Sequence, residues 1–105
     1  MIASALTRAD VHSRLAAAQA EILSLGVRRL ALFGSVQRDA ARPDSDVDVL
    51  VEFRPGEKTY RNFFALGELL ERLLDRRVEL VTPEGLSPFL QRRVLAEATD
   101  VIRAA

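Results

Sequence analysis

The sequence predicts an α/β (α+β) domain in which helices pack on a small sheet. Three observations predict it. Segments with helical periodicity alternate along the chain with short Val- and Leu-rich runs bounded by turn residues. A chain of 105 residues suits one core, so a single domain over residues 1–105 is expected. Apolar residues make up 49% and charged residues 29%, a balance that supports a folded core over a disordered chain.

The first helix is expected to open at Thr7, with Asp10 three residues on as a capping-box partner in place of the usual Glu. Val11, Leu15, Ala18, Ile22 and Leu25 recur at helical spacing, and Gly26 is the expected stop. His12 falls about 100° from that stripe and reads as a surface residue without a role. "VRRLALFGS" reads as a strand built on Leu30, Ala31, Leu32 and Phe33. "VQRDAA" has helical propensity, and "RPDSD" is a turn because Pro43 disfavours helix at Arg42. "VDVLVEF" is rich in Val and reads as a central strand, followed by a loop at "RPGEK". Residues 60–74 form a second strong helix, with Phe63, Leu66, Leu69, Leu70, Leu73 and Leu74 on one broad face. Phe64 lies about 100° from that face; it suits either packing under the 54–59 loop or a partner contact. Tyr60 is expected to be buried at the helix start. "RRVELVT" is a third strand and "PEGLSP" a turn. Ser87 as N-cap and Pro88 at the first helical position open a last helix to about Ala98, and "VIR" offers a short edge strand.

Composition narrows the function classes. Fifteen basic residues balance fifteen acidic ones, so the net basic footprint of a phosphate-gripping domain is missing and no direct nucleic-acid binding is expected. Apolar runs are only a few residues long, and the N-terminus lacks a basic region followed by an apolar one. Cysteine is absent, which removes disulfides and thiolate metal sites and suits a reducing cytoplasm. A cytoplasmic protein without membrane attachment is expected.

Asp46 and Asp48 carry the strongest chemical signal. They stand one residue apart where a loop enters a strand, so their carboxylates share a face. Two close carboxylates both stay ionised only with positive charge between them. Mg²⁺ suits that position, because it takes oxygen ligands from one or two carboxylates together with substrate phosphates. Taken alone, the pair is more simply described as a turn cap and a solvent-facing strand residue, because aspartates are common at turns. Three further features bear on it. Gly34 and Ser35 follow a strand, where a small turn brings backbone N–H groups and a hydroxyl within reach of phosphate. Arg38 lies one helical turn beyond Ser35 and can reach the same phosphate or point to solvent. Glu79 interrupts an otherwise apolar strand, either as an outward-facing residue or as a third carboxylate beside the pair. Together they match what nucleotidyl transfer needs. Two metal ions ~3.5–4 Å apart clamp the attacking and leaving oxygens while a hydroxyl attacks the α-phosphate and pyrophosphate departs.

Ten residues separate Gly34-Ser35 from Asp46-Val47-Asp48. That spacing resembles the signature of the polymerase-β-like nucleotidyltransferases, and "ARPDSDVDVLVEF" and "VELVTPEGLSPFLQRRVLAEA" resemble its minimal nucleotidyltransferase (MNT) family. The resemblance covers about residues 10 to 102. It implies a mixed sheet of three to four strands with helices packed on it. It also implies an antitoxin that moves AMP from ATP to a tyrosine of a HEPN-domain ribonuclease toxin. By the same resemblance Asp46, Asp48 and Glu79 are metal ligands for two Mg²⁺ ions, and Glu79 is also a base. Gly34 and Ser35 then hold triphosphate oxygens, assisted by Arg38. Two residues depart from the family pattern: Glu79 stands where Asp is common, and Asp39 where Gly is frequent. Asp39 is expected to place an unwelcome charge near the phosphates unless Arg38 or Arg42 offsets it.

Two other function classes compete with the enzyme. One is an antitoxin that blocks its toxin by binding alone. The other is nucleotide transfer to a small molecule or RNA, for which 105 residues leave little room for an acceptor-holding domain.

Overall fold

The structure is a computed structural model and describes residues 5–104. The expectation of a leaderless N-terminus falls partly on residues 1–4, outside the described residues. In chain order the elements are α1 (Arg8–Ala17), α2 (Gln19–Leu23), β1 (Val27–Phe33), α3 (Gly34–Gln37), β2 (Val47–Phe53), α4 (Tyr60–Leu74), β3 (Val78–Val81), a 3₁₀ turn (Pro83–Gly85), α5 (Pro88–Glu97) and β4 (Thr99–Arg103). Among the described residues no helix is long and apolar enough to cross a membrane.

Side-chain caps set the helix starts, at Thr7 and Ser87 as expected and at Thr59 in addition. Thr7 Oγ1 accepts the Asp10 N–H at 3.1 Å, and Asp10 returns the bond to the Thr7 N–H, completing the capping box. Thr59 caps α4 through the Asn62 N–H at 3.1 Å, and Ser87 caps α5 ahead of Pro88. The first helix does not run unbroken to Leu25. It tightens at Ala18, whose N–H bonds to Leu15 O at 3.0 Å, and restarts as α2. No Gly or Pro marks this break. The step keeps Ile22 in the core that holds Leu15, so burial there outweighs helix continuity.

The four strands form one mixed sheet in the order β3-β2-β1-β4. β1 pairs antiparallel with β2 and β4, while β2 and β3 run parallel through the α4 crossover. β2 is central, as expected. Alternation along the strands divides the apolar residues between two faces. On one face Leu30, Leu32, Val47, Val49, Val51 and Ile102 pack under Val11, Leu15, Ile22, Leu66, Leu70 and Leu74. On the other, Ala31 and Leu50 meet Val94 of α5, with Phe33, Val81, Leu86 and Ala98 around them. Asp48 alternates onto this second face with Leu50, and Glu79 with Val81.

Three side chains differ from expectation. Tyr60 is 85% exposed rather than buried, because it lies off the apolar stripe of α4 on the side of Phe64. Phe64 is also exposed and stacks on Tyr60 with 6.1 Å between ring centroids, not under the loop. His12 is half-buried, and its Nε2 lacks a hydrogen-bond partner among the described residues.

Candidate active site

β1 ends at Phe33 rather than Ser35, because Gly34 turns the chain with φ +77° and opens α3. Phe33 lies opposite Asp48 across the antiparallel ladder, which brings the Gly34 turn against the Asp48 carboxylate. A Cβ on residue 34 would sit 2.1 Å from Asp48 Oδ2. Glycine is therefore required twice here, for its left-handed backbone and for the space its missing side chain leaves. On the other side of β2, Glu79 is the direct cross-strand neighbour of Asp48. Glu79 acts on Asp48 by hydrogen bonding and by charge, and both raise the Asp48 carboxyl above its ordinary value.

Asp46 precedes β2 by one residue, is half-exposed, and lies 3.9 Å from Arg77 Nε. It contributes negative charge at Asp48 but is not drawn into the Asp48–Glu79 bond. Among the described residues no three carboxylate or imidazole side chains converge into a ready-made metal cage. The donor set nonetheless fits a hard divalent cation. Burial, the hydrogen bond to Glu79, and the charges of Glu79 and Asp46 push Asp48 up to about 7, against only a small downward pull from Arg38. Carboxylates that must share a proton to coexist are the ones a cation would relieve.

This has a consequence for stability. Between its ordinary value of 3.8 and about 7, Asp48 holds a proton in the folded state that the unfolded chain releases. The stabilisation is full below the lower value and lost as pH rises through the upper one. Burial pushes Glu52 and Asp100 up, but their ion pairs with Arg29 outweigh it, so both are held below their ordinary carboxylate values. Without divalent cations, the melting temperature is expected to fall by a few degrees between pH 5 and pH 8. Calorimetry at constant ionic strength measures the fall, and added Mg²⁺ is expected to reduce it.

The remaining candidates lie around the turn. Ser35 is half-buried in α3, and Arg38 follows as its exposed C-cap. Asp39 has a left-handed φ of 54°, a conformation that suits Gly and is tolerated by Asp. Its carboxylate accepts the Arg8 N–H at 2.8 Å and lies 3.8 Å from the Arg8 guanidinium. Arg8, rather than Arg38 or Arg42, thus offsets the charge that looked unfavourable. Sequence reasoning also missed Glu97. Its Oε1 accepts the Gly34 N–H at 2.9 Å and pairs with Arg38 Nη1. The available signal was its position, since an acidic residue in the last turn of a helix opposes the helix dipole.

Comparison with known proteins gives the family. Residues 15–101 match the family described as nucleotidyltransferase domain. The protein adenylyltransferase MntA of Thermococcus cleftensis is 39% identical over 97 residues, covering 91% of this chain and 97% of its own. A solved structure provisionally assigned as a minimal nucleotidyltransferase is 41% identical, with TM-score 0.70 over 84% of this chain and 93% of that one. Another holds a tri-AMPylated Shewanella oneidensis HEPN toxin in complex with an MNT antitoxin. It matches with TM-score 0.56 over 85% of this chain and 72% of that chain; at 20% identity the likeness is one of fold alone. On the match over residues 15–101, the chain belongs to the nucleotidyltransferase domain family.

Proposed function

We propose that this single domain is an antitoxin that transfers AMP from ATP to a tyrosine hydroxyl of a cognate HEPN-domain ribonuclease toxin and thereby silences it. The observation that carries the reading is the apposition of Asp48, Glu79 and the Gly34 turn at one end of the sheet. The adenylyltransferase relative and the antitoxin of similar fold support a protein acceptor and a HEPN toxin as partner.

In this reaction the acceptor oxygen attacks the α-phosphorus, and the bond from that phosphorus to the bridging β-phosphate oxygen breaks. Pyrophosphate carries away the electron pair, and the acceptor proton passes to Glu79. Glu79 suits that role because it is exposed beside Asp48. The Gly34 N–H, the Ser35 hydroxyl and Arg38 hold phosphate oxygens and fix the triphosphate for in-line attack. Asp46, Asp48 and Glu79 would hold Mg²⁺, two ions in this reading, which when bound would supply the positive charge that neutralises the phosphates.

A second reading, inhibition by binding alone, is favoured by one observation. The Gly34 N–H and Arg38 are already engaged by Glu97. Labelled ATP with Mg²⁺ and the partner toxin separates the two. Transfer of label is expected with the natural chain and not with Asp46→Ala/Asp48→Ala. Absence of label, with toxicity still suppressed by the double variant, would establish the binding-only antitoxin instead.

A further inference from the structure

Glu97 is the last residue of α5, and its side chain reaches the turn that follows β1. One oxygen, Oε1, takes both the Gly34 N–H and the Arg38 guanidinium. The helix itself disfavours the placement, because an acidic side chain in the last turn faces the partial negative charge of the final carbonyls. The partners across the fold are therefore what hold it. They are also the two donors that the proposed site would offer to a phosphate. A carboxylate oxygen and a phosphate oxygen take such donors with the same charge-assisted geometry. The Glu97 side chain is 30% exposed, so it has solvent to swing into without movement of α5.

We propose, resting on the nucleotidyl-transfer reading, that Glu97 is an internal competitor for the triphosphate. In the free protein its Oε1 occupies the point on which Arg38 and the Gly34 N–H converge. On binding, a phosphate oxygen takes that point and Glu97 turns outward. The direction of the effect separates this from a purely structural role. Removing a structural prop weakens anion binding, whereas removing a competitor strengthens it.

The test uses the full chain, labelled with ¹⁵N and titrated with inorganic tripolyphosphate. In Glu97→Ala the Gly34 amide resonance is expected to shift, and tripolyphosphate to bind about tenfold tighter. Glu97→Gln keeps an acceptor oxygen without the charge and is expected to fall between. Should Glu97→Ala fail to fold, Glu97→Gln decides by the same comparison. Equal or weaker affinity in the variants, or no binding by any of the three proteins, overturns the proposal. Tighter tripolyphosphate binding without label transfer to the toxin leaves the competitor standing and overturns the transfer reading. Transferred label with unchanged affinity overturns the competitor alone.

Discussion

Asp48→Asn is expected to lower AMP transfer by on the order of 10³-fold or more while leaving the protein folded. Asn keeps the shape of the side chain and can donate a hydrogen bond to Glu79, so the β2–β3 ladder has no reason to part. What disappears is the charge. Asp48 is the carboxylate that touches both the Gly34 turn and Glu79, and no neighbour replaces it. The natural residue carries an uncomfortable charge above about pH 7, where burial and two neighbouring carboxylates oppose its ionisation. Asn removes that cost. The variant is therefore expected to melt a few degrees higher than the natural chain at pH 8 and to differ little at pH 5. Label-transfer assays and melts at the two pH values check both halves. Unfolding of the variant, or transfer at the natural rate, would remove Asp48 from the proposed chemistry.

Local chemistry was legible in the sequence, and long-range partnership was not. Thr7 with Asp10, and Ser87 with Pro88, announced helix starts because capping depends on residues three or four apart. The Val-rich run at 47–53 announced a central strand because burial on both faces demands it. The Asp46–Asp48 spacing was visible for the same reason, being local, although Asp46 stands one residue before β2 and so outside the strand alternation that suggested a shared face. Glu79 was a guess about a neighbouring strand, and the parallel register places it directly opposite Asp48. Glu97 lies 63 positions from Gly34, and no spacing rule connects a helix end to a strand-ending turn. The Arg8–Asp39 bond is hidden in the same way, because it joins the start of α1 to a turn 31 residues on. Tyr60 was misplaced because it was judged by its place at the helix start, whereas its angle puts it off the apolar stripe of α4 and into solvent beside Phe64.

Gly34→Ala is the substitution expected to couple stability to chemistry. The backbone there has φ +77°, a region that costs an L-residue about 1–2 kcal/mol. The added Cβ would also stand 2.1 Å from Asp48 Oδ2 and 2.9 Å from its Cγ, distances that no rotamer of alanine can relieve. Either Asp48 swings off the turn or the turn lifts off β2, and both outcomes separate the phosphate donors from the carboxylate. Transfer is expected to fall about 10²–10³-fold, and urea denaturation to register a loss of about 1–3 kcal/mol. Gly56→Ala supplies the control. Gly56 has nearly the same backbone conformation, φ +80°, but a Cβ there meets nothing within 4 Å. It should show the backbone cost alone and keep full transfer, so the difference between the two variants measures the clash with Asp48. Matching stability losses and matching activities would mean that the turn and the carboxylate are neighbours without being one site.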